Sequence, residues 1–279
     1  MDDNKETANN LFKEEALSEE KPPDNKKSKW RWLTSLGGLL LVFKVTKIWA
    51  IIKAMFIFLK FGKFLTTGLS MLLMILTYTY IYGWKYAIGI VLLLFVHEMG
   101  HLTAARRLGI DTSLPMFIPF IGAIIQMKEA PKDAKTEAIV GIAGPIFGAI
   151  GAFICLLIGQ VFDSALLLAL AYFGFILTVF NLIPAHPLDG GRIVTAISLK
   201  IWIIGIPIMV FFSLVFFNPI AILISILAIK KAWEVWKDRE NPYYNTEQSF
   251  RLKMGVSYFF LFALSAYYTY NLHAMLNKM

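Results

Sequence analysis

VHEMGHLTAARR, residues 96–107, closes an apolar run, Tyr86–Leu108, that is long enough to cross a lipid bilayer. His97 and His101 are four apart, so on a helix they stand on one face about one turn apart and can bind a single metal ion. Glu98 adjoins the first of them, where a carboxylate can take a proton from water that the metal activates. Four His and eleven Glu in 279 residues would give about 0.002 copies of H-E-x-x-H by chance. Ionisable groups inside an apolar span cost on the order of 2.5–3.5 kcal/mol each. Metal ligation therefore explains the triplet better than a polar cluster linking helices.

The rest of the chain has the same apolar character. Of its residues, 57% are hydrophobic and 16% charged, against about 45–50% and 25% in soluble domains, which disfavours an aqueous globule. Phe64–Trp84, Ala138–Phe162, Ile201–Ile229 and Met254–Asn277 are further runs of spanning length, and Ser164–Leu188 is free of charge. The expectation is an all-α polytopic membrane protein with about six or seven transmembrane segments, one of them a crossing or half-crossing within Gly190–Ile203. Cys155 is the single cysteine. It cannot form an internal disulfide and reads as a small buried hydrophobe.

The net charge of +8 is unevenly spread. Residues 1–29 hold eight acids and six lysines, so the cations of the other residues lie mostly in short breaks between apolar runs. There they act as orientation signals and headgroup contacts, which makes nucleic acid an improbable partner. Residues 1–29 lack the apolar core of a signal peptide and read as a disordered cytoplasmic tail. Residues 30–63, with Lys44, Lys47, Lys53, Lys60 and Lys63 among apolar residues, read as a basic interfacial segment. Residues 64–203 form the membrane core. Residues 204–279 add C-terminal membrane segments, with a second interfacial stretch at 230–253. Arg106, Arg107, Lys230, Lys231, Lys237 and Arg239 go to the cytoplasmic side by the positive-inside rule, together with the N-terminus, and Asp163 goes outside. The protein is expected in the cell membrane.

Residues 109–137 do not fit a helix, because prolines stand at 115, 119 and 131 and a glycine at 122. They predict a short extended hairpin or re-entrant loop, LPMFIPF-G-AIIQM. Such backbone is tolerable at membrane depth only where protein or trapped water satisfies its amides.

A catalytic zinc site normally has three protein ligands and an open position. The other concentrated polar break is NLIPAHPLDGGR, residues 181–192. Asp189 and His186 both qualify as the third ligand. Two glycines after Asp189 would let the backbone turn and aim its carboxylate inward.

H-E-x-x-H in one apolar segment, with N-x-x-P and L-D-G in a later one, resembles the site-2 protease family of intramembrane zinc metalloproteases. The resemblance runs from about Lys44 to Arg192 and includes GIAGP at 141–145. It implies His97, His101 and Asp189 as ligands of one Zn2+ and Glu98 as general base. It also implies that Asn181 polarises the scissile carbonyl or holds the oxyanion, and that the substrate is a membrane-embedded protein or peptide in the bilayer. His186 has no role in that pattern. Some family members read G-P-x-x-N after the glycine loop where this chain has Gly148, and the 87 residues between His101 and Asp189 leave no room for an inserted peptide-binding domain. The competing class is a non-proteolytic metal-binding membrane protein or zinc transporter, in which Glu98 would be dispensable.

Overall fold

The structure, a computed structural model, describes residues 63–215 and 219–278. The expected tail at 1–29 and nearly all of the interfacial segment at 30–63 lie outside the described residues. The fold is mostly helical. Helices α1 (Lys63–Tyr82) and α2 (Trp84–Arg107) are followed by strands β1 (Met116–Ile118) and β2 (Gly122–Ile124). Then come α3 (Ala134–Val161), α4 (Ala165–Asn181), the short α5 (Asp189–Ile197), α6 (Trp202–Val215), α7 (Pro219–Lys237) and α8 (Gln248–Leu276). Three of these, α1, α2 and α3, are long and apolar enough to cross a membrane. At 1.5 Å per residue the 28 residues of α3 extend about 42 Å, beyond the ~30 Å hydrocarbon layer. The chain is a multi-pass membrane protein.

The boundaries follow local chemistry. Asp133 caps α3 by accepting the Thr136 N–H at 2.7 Å, so the helix starts four residues ahead of the apolar run that announced it. Its hydrogen bonding to Thr136 holds the Asp133 carboxyl below the usual carboxylate range. The run Ile201–Ile229, read from sequence as one stretch of spanning length, is two helices. Pro219, suited to a first helical turn because it lacks an N–H, opens α7, and α6 and α7 meet where Ser213 and Ser225 Oγ lie 2.6 Å apart.

The hairpin is present. β1 and β2 pair antiparallel with Met116 opposite Ile124 and Ile118 opposite Gly122, and Ser113 N donates to Gln126 O at 2.8 Å beyond them. Its amides are satisfied from α1. Thr67 Oγ1 donates to Pro115 O at 2.8 Å, Ser70 Oγ accepts from Phe117 N at 3.1 Å, and Tyr78 OH accepts from Phe120 N at 3.2 Å. Thr67, Ser70 and Tyr78 share a helical face, so α1 turns a hydroxyl stripe toward extended backbone that a bilayer would not solvate. Phe117 fills the space between α1 and α2, fully buried with Met74, Val91 and Leu94 around it. A second core joins α3, α4, α5 and α8 through Ala138, Phe175, Ile193 and Tyr258. There Tyr258 OH donates to Leu182 O just past the end of α4.

Candidate metal centre

Helix α2 carries His97, Glu98 and His101, all buried. The helix comes close to α3 because glycines line the crossing. An added Cβ on Gly100 would strike the Ala143 carbonyl, and one on Gly144 would fall on the His101 ring. On Gly148 it would stand 3.0 Å from His97 Nδ1. Gly144 of the GIAGP motif and Gly148 just after it therefore work by close approach: their missing side chains make the room that the His101 and His97 rings occupy.

The third residue comes from α5. Asp189 Oδ2 lies 3.1 Å from His97 Nε2 and 3.1 Å from His101 Nε2, and the two imidazole nitrogens are 3.2 Å apart. His186, the other candidate, is directed elsewhere, with its ring 6.2 Å from that of Trp202. The glycines after Asp189 do not form the expected turn. They sit in the first turn of α5, where Gly190 packs on the Leu182 and Ile183 carbonyls and Gly191 on the Ala185–His186 backbone. Their lack of side chains lets the Pro-rich segment fold directly onto the helix that presents Asp189.

The donor set fits a cation. His101 Nδ1 is 2.7 Å from Val140 O; a carbonyl only accepts, so the proton is assigned to Nδ1 and the Nε2 lone pair faces Asp189 and His97. A nitrogen lone pair and a carboxylate oxygen turned toward each other in a buried space repel unless a positive charge lies between them. The edges of 3.1–3.2 Å approach the ~3.3 Å separation of ligand atoms in a tetrahedral site with bonds of about 2.0–2.1 Å. Among the described residues, His97, His101 and Asp189 are the group able to hold one metal ion. Val140 orients His101 as an outer partner orients a ligating imidazole. His97 Nδ1 is buried and without a hydrogen-bond partner among the described residues.

A second layer of contacts was not legible from spacing. Arg192 Nη1 lies 3.8 Å from Asp189 Oδ1, and its Nε lies 3.6 Å from Glu137 Oε1. Tyr243 OH donates to Glu137 Oε2 at 2.7 Å. Burial and this bond to a carboxylate push the Tyr243 phenol above its ordinary range, so it stays a donor. The sequence signal was Arg192 standing directly after the LDGG motif. Asn181, at the end of α4, donates its side-chain N–H to Leu177 O at 3.0 Å.

The model of peptidase family M50 matches residues 85–165 and 160–216, which contain His97, His101 and Asp189. Residues 85–216, just under half of the chain, are thus similar to peptidase family M50. This is the site-2 protease family that the motifs resemble. Among curated relatives, the zinc metalloprotease MJ0392 of Methanocaldococcus jannaschii is 38% identical over 118 residues, 39% of this chain and 34% of that protein. The probable zinc metalloprotease EGY1 of Arabidopsis thaliana, chloroplastic, is 29% identical over 155 residues, 39% of this chain and 28% of that protein. The putative zinc metalloprotease Rip3 of Mycobacterium tuberculosis is 31% identical over 113 residues, 37% and 28% of the two chains. The chain spans about a third or less of the length of these relatives. The matched stretch begins at α2 and includes His97, Glu98, His101, Glu137, Asp189 and Arg192, while Tyr243 lies beyond it.

Proposed function

We propose that the protein is an intramembrane zinc metalloprotease that hydrolyses a peptide bond in or near a transmembrane segment of a membrane protein or peptide. The observation that carries this reading is the buried His97–His101–Asp189 triangle with Glu98 beside it on an apolar helix. His97, His101 and Asp189 would hold one Zn2+. When bound, zinc makes water a nucleophile near neutral pH and polarises the scissile carbonyl. Glu98 accepts the proton of the attacking water and delivers it to the leaving amine. Asn181 serves the carbonyl oxygen: a side-chain amide has two N–H donors, and its bond to Leu177 uses one. Burial of the triad excludes bulk water from every step except entry of the nucleophile.

A helical substrate hides its scissile bond in its own hydrogen-bond ladder and must unwind. The hairpin Met116–Ile124 offers a strand edge with which an unwound segment can pair. Six or seven crossings, the cytoplasmic N-terminus, placement in the cell membrane and the domain limits 1–29, 30–63, 64–203 and 204–279 belong to the same reading. It is supported by the lengths of α1, α2, α3 and α8 and by the cations Arg106, Arg107 and Lys237 in the last turns of α2 and α7. The test is to express Glu98→Gln in the native host and compare membrane peptides with the wild type. Specific membrane peptides should accumulate intact in the variant; identical peptide populations in the two strains would contradict the proposal.

A further inference from the structure

Two hollows share a wall, and they differ sharply in chemistry. The larger, about 670 Å³, lies between α6 and α7 and is lined by Trp202, Ile203, Ile206, Ile226 and Ile229 among others. Among the described residues, Lys230 is the one charged residue in that lining. The smaller, about 340 Å³, has Lys200, Arg239 and Arg251 around it, with Thr195, Ser198 and Tyr244. Among the described residues, no acidic one lines it. Leu199 and Trp236 line both hollows.

The three cations come from separate parts of the chain: the turn after α5, the loop after α7 and the first turn of α8. Two are held in place. Arg251 Nε donates to Thr246 Oγ1 at 2.8 Å, and the Arg239 guanidinium lies over the Trp236 ring, 5.4 Å from its centroid. The nearby acids Asp238 and Glu240 line a third hollow, which they share with Trp236, Lys237 and Arg239, and Asp238 Oδ2 accepts from Asn241 Nδ2 at 2.9 Å. With no acid among the described residues that line the smaller hollow, its three like charges repel, so the arrangement favours an anion between them. Trp202, Trp233 and Trp236 are the residue type enriched at headgroup depth.

We propose that the two hollows form one binding site for an anionic phospholipid, with the phosphate among Lys200, Arg239 and Arg251 and an acyl chain in the groove between α6 and α7. A free phosphate has no use for the apolar groove, and an apolar partner helix has none for three converging cations. An anionic lipid matches both halves across their common wall. The orientation signals put this site at the cytoplasmic leaflet, where anionic lipids give the membrane its negative surface potential. The site also touches the metal centre's scaffold. Trp202 lines the groove while its Nε1–H donates to Gly191 O at 3.2 Å, and Thr195 belongs to α5, the helix that begins with Asp189.

The test uses the purified full chain in detergent, titrated with acyl-brominated phosphatidylglycerol or phosphatidylcholine while tryptophan quenching is followed. Phosphatidylglycerol should bind more tightly, and Lys200→Gln and Arg239→Gln should each weaken it about fivefold, the usual worth of one cation at an anionic surface. Lys200→Arg should restore the affinity, which separates loss of charge from loss of fold. Equal binding of the two lipids, or unchanged affinity in both glutamine variants, would overturn the proposal. So would full displacement of the brominated lipid by inorganic phosphate, which marks a headgroup-only site, or by an uncharged apolar helical peptide, which marks a protein groove. Lipid binding is read without any cleavage assay, so it stands or falls apart from the peptidase reading.

Discussion

Gly144→Ala tests whether the glycines of α3 exist to make room for the metal ligands. An ideal Cβ at Gly144 falls on the His101 imidazole, with Nε2, Cε1 and Cδ2 as its nearest atoms. The ring has little freedom to yield, because Nδ1 is held by Val140 O at 2.7 Å. Overpacking of this kind costs about 1–3 kcal/mol, and loss of the Val140 bond adds about 1 kcal/mol. Replacing a mid-helix glycine by alanine returns only about 0.5–1 kcal/mol. The net is a destabilisation of roughly 1–3 kcal/mol. Zinc affinity should fall further, by about 10–100-fold, the usual effect of disturbing what orients a ligating histidine. Zinc is titrated against a chromophoric chelator, and thermal unfolding of the metal-free protein is followed in parallel. Gly68→Ala in α1 is the internal control: an added Cβ there meets nothing within 4 Å, so zinc affinity should not change. Wild-type zinc affinity in Gly144→Ala would refute the reasoning.

Asp189→Ala should abolish stoichiometric zinc binding while His186→Ala retains it, as measured by metal analysis after dialysis; the reverse pattern would return His186 to the ligand set. Tyr243→Phe removes the donor to Glu137 and should lower stability by about 1.5–3 kcal/mol, as for a bond to a charged group, with a several-fold loss of zinc affinity transmitted through Arg192. Because the Tyr243 phenol is raised on folding, its contribution should be complete below the unfolded phenol pKa and lost as pH climbs from there through the folded value. Asp133→Ala should cost about 1 kcal/mol as a lost helix cap. The Asp133 carboxyl is lowered on folding, so the wild-type advantage in a pH series of unfolding should be full above the ordinary aspartate pKa of about 4 and vanish as pH falls through the folded value.

The His97/Glu98/His101 triplet was legible because one helical turn is a strict ruler and chance supplies few copies. From the residues alone Asp189 was one of two candidates and only the family resemblance singled it out, since the choice between it and His186 depends on how the Pro-rich segment folds back on Gly190 and Gly191. The hairpin showed through its prolines and Gly122, but the hydroxyls of α1 that satisfy it are spaced as any helical face is. The break between α6 and α7 was written in Asn218-Pro219, yet uncharged flanks on both sides made one long run of it. Arg192, Glu137 and Tyr243 come from three separate stretches, and no local pattern joins them. Gly148 was noted only as a missing asparagine, whereas its place beside His97 Nδ1 is a matter of helix crossing.

The central claim is that Glu98 performs proton transfer at a zinc site that does not need it as a ligand. The most direct measurement is zinc content and peptide-bond cleavage, side by side, for the purified wild type and Glu98→Gln, using the membrane peptides that accumulate in the variant host. One zinc per chain in both proteins, with cleavage confined to the wild type, is the expected result. Undiminished cleavage by Glu98→Gln, or loss of its zinc, would contradict it.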